Sequence, residues 1–393
     1  DHPFQVFPEV EKLYKKVKRD KERKALSKKH SQQEWAKENP KLAKKLERFF
    51  SDKLPEIDWA AIPQKSNTAT RNASAVILSH FADQVENMIV SSADLMNSDK
   101  TQAFHDKTGA FQKGNFKGAF LQAGVSELTM AAMCTGMALH GGVIPVCATF
   151  FAFSDYMKPA IRVAALMETP VKFLWTHDAF RVGEDGPTHQ PIEQEAQIRL
   201  LEKLKNHSGN NAFLALRPAD ADETTVAWKM AFENQHSPSG LILSRQTIQD
   251  LPARPDSTRL EDALGAEKGA YIVQDAEKPD VILIGNGSEV STLVDGASIL
   301  RAQYQLSVRV VSAPSEGVFR SQPKSYQQEI LPAGIPKFGM TAGLPVNLEG
   351  LVGSDGKVFG LDHFGYSAPF QVLDEKFGFT AANVVNEVKE LLG

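Results

Sequence analysis

Two cysteines, Cys134 and Cys147, are all that the 393 residues contain. That excludes a disulfide framework, and both lie in apolar sequence, so they read as small buried hydrophobes in a reducing compartment. An excess of charge is also lacking: 44 Lys and Arg stand against 48 Asp and Glu, for a net charge of −4. A dedicated nucleic-acid binder usually carries a basic surface and a high pI, so that class is set aside. An unbroken apolar run of membrane-spanning length is missing too. The longest low-charge run, residues 128–153, exceeds the roughly 20 residues that a membrane helix needs. Gly141, Gly142 and Pro145 interrupt it, and it divides better into a buried helix, 128–140, and a buried strand, 143–150. No secretory leader is visible, but the sequence opens at Asp1 without a methionine, so this last absence excludes little.

What is present is a chain too long for one ordinary core, so more than one domain is expected. Residues 1–64 form a charged arm, dense in Lys and Arg interleaved with acids. Mixed signs favour solvated helices over a polyanion-binding segment. Phe4, Val6, Phe7, Leu13, Trp35, Phe49, Phe50 and Trp59 are a large apolar load for such an arm. They predict docking onto a core that need not belong to this chain. From about 68 to 251 strand and helix patterns alternate. Strands are expected at 88–92, 143–150, 171–175, 212–217 and 240–244. Helices are expected at 73–83, 128–140, 156–166, 192–204 and 222–234. This alternation predicts a mainly parallel sheet covered on both faces. A polar, proline-containing stretch at 250–259 reads as a linker. A second α/β unit, 259–393, carries the turn Gly285-Asn286-Gly287 between an apolar strand and a helix. The full dinucleotide fingerprint is absent, so a tight strand–helix turn with Ser288 near the helix cap is preferred. Further strands are expected at 308–312 and 358–362.

The densest cluster of chemistry is the loop THDAFRVGEDGPTHQP at 176–191. His177 and His189 bracket Glu184 and Asp185 in a segment tightened by Gly183, Gly186 and Pro187. It follows the apolar run 170–175, read as a buried strand, and loops at the carboxyl ends of such strands are where open α/β sheets place ligands. A plain Asp/Gly/Pro turn is the alternative. A zinc site from His177, Asp185 and His189 is a further one, although their spacing matches no common zinc pattern.

GEDGPTHQP after a strand ending in THD resembles the signature of transketolase, and the resemblance extends over essentially the whole chain, as the second and third domains of that family. It implies an α/β fold of two mainly parallel-sheet three-layer domains of the thiamine-diphosphate-enzyme type. These are the pyrimidine-binding domain, 65–258, and the C-terminal domain, 259–393, preceded by a charged helical linker arm. The implied activity is reversible transfer of a two-carbon ketol unit from a ketose phosphate of the xylulose 5-phosphate type to an aldose phosphate. The implied setting is the pentose phosphate pathway, in a cytoplasmic homodimer. In Gly124-Val-Ser-Glu127, Glu127 matches the glutamate that hydrogen-bonds N1′ of the cofactor's aminopyrimidine and so promotes loss of the thiazolium C2 proton. Alone it reads equally as an acid favoured at a helix N-terminus. Phe150, Phe153 and Tyr156 resemble the aromatic pocket for the pyrimidine, although from sequence alone they fit a core as well. Asp94 resembles the acid that closes that pocket. Arg71, Ser98, His177 and Arg245 match the phosphate and distal-hydroxyl ligands, each arginine being otherwise an ordinary surface charge. Asp185 matches the residue that reads the acceptor's C2 hydroxyl, and His189 the one near the reacting carbonyl oxygen.

The chain departs from the family pattern at three places. Ser126 stands where an arginine is common. Arg181 stands where many relatives have glycine, and is expected to narrow the entrance or add a phosphate contact. Thr341 replaces an acid often found in the third domain. No GDG motif occurs, and in the family that motif, with a downstream asparagine, holds Mg2+ or Ca2+ and the diphosphate in a first domain. The sequence at 1–10 resembles the linker just after that domain. The expectation is therefore a C-terminal two thirds, inactive until completed by a diphosphate-binding domain in cis or as a separate chain, with no metal ligands of its own. Other readings are dihydroxyacetone synthase, deoxyxylulose-phosphate synthase and a non-catalytic dimerising scaffold of the same fold. His177-Asp178 and Ser244-Arg245-Gln246 favour transketolase over the synthase of deoxyxylulose phosphate.

Overall fold

A computed structural model describes residues 2–51 and 53–393. The chain forms two compact units, Asp1–Lys53 and Leu54–Gly393. In the first, the helices Pro8–Glu38 and Pro40–Phe49 each begin with proline, which tolerates a first turn because the missing N–H would be unpaired there. Neither helix buries a residue, and Phe4, Phe7, Leu13 and Phe50 are exposed. Trp59 departs from the expected arm. It lies in the second unit, edge-on to Phe81 at 5.8 Å and to Phe232 at 6.1 Å.

The second unit is built on two sheets. The first contains β1 (Met88–Ser92), β2 (Phe120–Gln122), β3 (Ile144–Phe150), β4 (Lys172–Thr176), β5 (Leu214–Leu216) and β6 (Ser239–Leu243). Its order is β2-β1-β3-β4-β6-β5, and every pairing is parallel. The second sheet contains β7 (Tyr271–Gln274), β8 (Val281–Gly285), β9 (Val308–Ser312), β10 (Lys337–Met340) and β11 (Lys357–Phe359), ordered β11-β10-β8-β9-β7. Only its edge strand β7 runs antiparallel. β3, β4 and β6 are almost wholly buried, as strands covered by helices on both faces must be. The expected architecture, two mainly parallel three-layer α/β sheets preceded in the sequence by a charged helical arm, is the one observed. No helix among the described residues is long and apolar enough to cross a membrane. The run at 128–153 divides as anticipated, into the helix Glu127–His140 and β3, and both cysteines are buried and free.

β1 has β2 on one side and β3 on the other, so the chain's winding reverses there. The carboxyl ends of β1 and β3 border the crevice where such sheets bind ligands. Asp94, Glu127, Phe153, His189 and Arg245 all follow the carboxyl ends of first-sheet strands, β1, β2, β3, β4 and β6 respectively, and the Gly285-Asn286-Gly287 turn follows β8 of the second sheet.

One core residue has a thermodynamic consequence. Lys172 at the start of β4 is buried, and its Nζ donates to the carbonyl of Asn234 at 2.6 Å. Burial pushes its pKa down to about 7 from 10.5. Between those values the unfolded chain holds the proton and the folded chain does not, so stability rises with pH across that window. Urea unfolding is expected to show about 2 kcal/mol more stability at pH 9 than at pH 7. In Lys172→Met most of that difference should vanish. An unchanged pH dependence in the variant would remove Lys172 as its source.

Candidate active site

The site begins at β3, where Thr149 and Phe150 lead out of the sheet. Glu127 is the first residue of the helix Glu127–His140 and is only 7 % exposed. Thr149 Oγ1 donates to its Oε1 at 3.4 Å. Among the described residues that long bond is its one side-chain partner. A helix N-terminus favours the charge, but a carboxylate this buried has most of its hydrogen-bonding capacity unused. It is therefore suited to take an N–H from a bound molecule. Ser126 lies just before it and turns away, its Oγ donating to the carbonyl of Ala123 at 2.7 Å.

Beyond Phe150 the chain makes a short turn, Phe151–Phe153, and enters the helix Ser154–Leu166. Phe150 and Phe153 stack at 5.8 Å with their planes 12° apart, and Tyr156 continues the series at 6.1 Å from Phe153. Phe150 is buried, whereas Tyr156 is 63 % exposed. The core alternative for these aromatics thus holds for Phe150 but not for Tyr156. His189 meets Phe153 edge-on at 5.3 Å, and His177 stacks on Phe150 at 3.6 Å. Two histidines and three aromatics from separate segments therefore converge on one surface.

His177 has a left-handed backbone, φ 63°, at the end of β4 and is buried. Its Nε2 lies 3.3 Å from Arg71 Nη1, and its Nδ1 lies 2.8 Å from Thr176 Oγ1. An arginine can only donate, so Nε2 accepts and Nδ1 carries the proton. Burial, reinforced by Arg71, Arg245, His189 and Lys100, pushes the pKa of His177 down to about 2. The ring is neutral at any ordinary pH. Arg71 also donates to the carbonyl of Ser98 at 2.8 Å, and its buried Nε has no partner among the described residues. Burial, with the repulsion of Arg245, lowers its pKa to about 10, against the opposing pull of Asp99.

The helix Thr70–Gln84 begins three residues earlier than the expected 73. The extra residues bring the arginines together: Ser244 N donates to Thr70 Oγ1 at 2.7 Å, and Thr70 N donates to Ser244 Oγ at 3.0 Å. This reciprocal pair fixes the first turn, which carries Arg71, against the end of β6, which carries Arg245. Arg71, Arg245 and Lys100 make a local excess of positive charge around a neutral histidine, an arrangement that recruits an anion. Lys100, in a left-handed turn at φ 70°, had no mark in the sequence.

Asp94 follows β1 in a left-handed conformation, φ 63°, and is exposed. Ser98 contributes its carbonyl to Arg71. Asp185 is exposed on the loop, and among the described residues it makes no bond to the other candidates. No group of three or more His, Cys, Asp or Glu suited to a metal ion occurs among the described residues, so His177, Asp185 and His189 are not gathered as a zinc site would need.

Arg181 corrects an expectation. It neither narrows an entrance nor points outward to a phosphate. It is 4 % exposed, with Nη1 donating to Glu289 Oε1 at 2.6 Å and Ser288 Oγ at 2.8 Å, and Nε donating to Asp374 Oδ1 at 2.6 Å. Ser288 thus serves this contact and donates to Glu289 Oε1, and makes no side-chain cap of its own helix. The turn Gly285-Asn286-Gly287 is the tight strand–helix connection anticipated, with Asn286 accepting from Arg217 Nη1 at 2.7 Å. Thr341 is buried and accepts from Asn347 Nδ2 at 3.2 Å, within the second sheet's own packing.

Comparisons with known proteins agree along most of the chain. Residues 66–250 match the family model for the transketolase pyrimidine-binding domain, and residues 269–380 match that for the transketolase-like C-terminal domain. Transketolase of Geobacillus stearothermophilus is 39% identical over 361 residues, covering 90% of this chain and 52% of its own length. A chloroplastic transketolase of Craterostigma plantagineum is 40% identical over 369 residues, covering 91% of this chain and 67% of its own. Among solved structures, a Pichia stipitis transketolase described as a complex with sedoheptulose 7-phosphate superposes with a TM-score of 0.85 at 31% identity, over 100% of this chain and 56% of that one. The chain thus spans about half the length of most of the curated relatives it matches.

Proposed function

Because the chain belongs to the transketolase family, we propose that it supplies the pyrimidine-binding and C-terminal parts of an enzyme that moves a two-carbon ketol unit from a ketose phosphate to an aldose phosphate. The observation that carries this reading is Glu127, a buried carboxylate with one long hydrogen bond beside a stacked aromatic series. The unused acceptor capacity of Glu127 and the partly exposed rings of Phe153 and Tyr156 fit an aminopyrimidine. Thiamine diphosphate, when bound, supplies an electron sink for the transferred unit. Glu127 would accept the pyrimidine N–H and hold a proton there, while Phe150, Phe153 and Tyr156 would flank the ring and Asp94 would border it. Arg71 and Arg245 would bind the sugar's phosphate as charge-assisted donors, beside Ser98. His177, kept neutral, would offer Nε2, which now accepts from Arg71, as an acceptor to a sugar hydroxyl without adding charge. Asp185 would accept from the C2 hydroxyl of the acceptor, and His189 would exchange a proton with the reacting carbonyl oxygen. A carboxylate that pairs with this hydroxyl in the substrate complex favours sugars that carry it over analogues that lack it.

Ligands for the diphosphate and for Mg2+ or Ca2+ would come from a diphosphate-binding half, in the same polypeptide or as a separate chain, within a homodimer. The chain's extent, about half of most of the curated relatives, supports this division. Two unpaired buried cysteines suit a cytoplasmic setting. The test is formation of sedoheptulose 7-phosphate from xylulose 5-phosphate and ribose 5-phosphate. The 393-residue chain alone, with cofactor and Mg2+, is expected to be inactive. The same chain covalently or non-covalently completed by the diphosphate-binding half is expected to turn over. Activity of the bare chain would refute the division of labour, and inactivity of the completed enzyme would refute the reaction.

A further inference from the structure

Asp185 and His189 sit on a loop with little regular structure. Two single 3-10 turns, Phe180–Val182 and Pro187–His189, are its only helical pieces. Yet the loop is held at three points, each time by the half of the unit that carries the second sheet. At its start Arg181 bonds Glu289, Ser288 and Asp374. In its middle Ser367 Oγ donates to the carbonyl of Glu184 at 2.5 Å. At its end Gln190 Nε2 donates to the carbonyl of Tyr366 at 2.9 Å and to that of Gly183 at 3.0 Å, closing the loop on itself.

The glycines permit this close seating. Gly183 and Gly186 have φ of 88° and 75°, a conformation open to glycine. A Cβ at Gly186 would stand 3.3 Å from that of Ser367, and one at Gly183 would stand 3.3 Å from the carbonyl oxygen of Ala368. The segment 365–368 therefore lies directly against the loop. Asp185 itself has no side-chain bond among the described residues, so its position depends on the backbone on either side of it. Glu184, whose carbonyl Ser367 holds, is its immediate neighbour.

We propose that Ser367 and Arg181 are positioning residues through which the C-terminal half fixes the loop at 181–190, and so sets how stringently Asp185 reads the acceptor's C2 hydroxyl. This rests on the transketolase reading for its functional part, and on geometry alone for its structural part. The C-terminal half then shapes substrate choice without touching the substrate.

Ser367 is exposed, so Ser367→Ala should fold normally. The amides of Gly186 and His189 donate within the loop, to the carbonyls of Gly183 and Gly186, and report its order. In the complete enzyme, their hydrogen exchange is expected to rise about fivefold in Ser367→Ala, the equivalent of one ordinary hydrogen bond. The preference in kcat/KM for ribose 5-phosphate over 2-deoxyribose 5-phosphate should fall by a similar factor, while KM for xylulose 5-phosphate stays unchanged. Ser367→Thr, which keeps the hydroxyl, should restore both. Arg181→Lys, which keeps the charge but loses the two-pronged contact, should show the same pair of changes. Unchanged exchange at Gly186 and His189 would overturn the proposal. So would faster exchange with the sugar preference intact. If the unsubstituted complete enzyme transfers no ketol unit at all, the functional reading fails, and the exchange result still decides whether the loop is held as described.

Discussion

Glu127→Ala in the complete enzyme is expected to lower turnover by about 10²–10⁴-fold, the usual contribution of a positioned proton-transfer group. The fold should survive. Glu127 opens its helix without capping it, and its bond to Thr149 is long at 3.4 Å. Removing a buried carboxylate with so little compensation relieves a desolvation cost. The variant is therefore expected to be as stable as the parent or slightly more so, in urea unfolding, while nearly inactive. That opposition separates a group kept for function from one kept for stability. Near-parental turnover would remove Glu127 from the mechanism, and a large loss of stability would make it a structural acid.

The opposite result is expected at Glu289. This carboxylate is fully buried between two arginines: its Oε1 takes Arg181, and its Oε2 takes Arg217 and the amide of Ala342. Arg217 in turn donates to Asp178 Oδ2 from Nε at 3.0 Å and from Nη2 at 2.8 Å. Burial opposes ionisation of Glu289, but Arg217 and Arg181 outweigh it and hold the carboxyl below its usual range. Glu289→Ala would leave two buried guanidiniums short of an anion. Breaking a buried pair this way costs about 3–5 kcal/mol. Urea unfolding should show that loss, and cofactor-independent properties should fall with it. A loss below about 1 kcal/mol would place the network among ion pairs that merely break even. Because Asp178 is the neighbour of His177, a surviving fraction of Glu289→Ala should also bind sugar phosphate more weakly.

The contrast between these two acids marks what a sequence can and cannot show. Both open a helix after a Gly-containing turn, Gly124-Val-Ser-Glu127 and Gly285-Asn286-Gly287-Ser-Glu289. Glu127 stood out through its resemblance to a family motif. Glu289 did not, because its partners Arg181 and Arg217 lie 108 and 72 residues away, and only the fold joins them. Arg181 was visible as an unusual residue, but its charge suggested an outward role until burial showed otherwise. The long apolar strands β3, β4, β8 and β9 were legible from their composition. β2, β7 and β10 were not: they have three or four residues and no distinguishing apolar run. The winding reversal at β1 depends on the placement of β2, so the crevice it creates was beyond reach as well. The aromatic series and the loop histidines could be named one by one in the sequence. Their stacking, which makes a single surface of Phe150, Phe153, His177 and His189, belongs to the parallel register of β3 and β4.

The most direct test of the account is the rate at which the C2 proton of thiamine diphosphate exchanges with deuterated water in the complete enzyme, measured by quenched-flow NMR with Glu127 intact and with Glu127→Gln. The account predicts rapid exchange in the first and exchange at least about 100-fold slower in the second, with cofactor bound in both. Equal rates would contradict the assignment of Glu127, and with it the site built around that carboxylate.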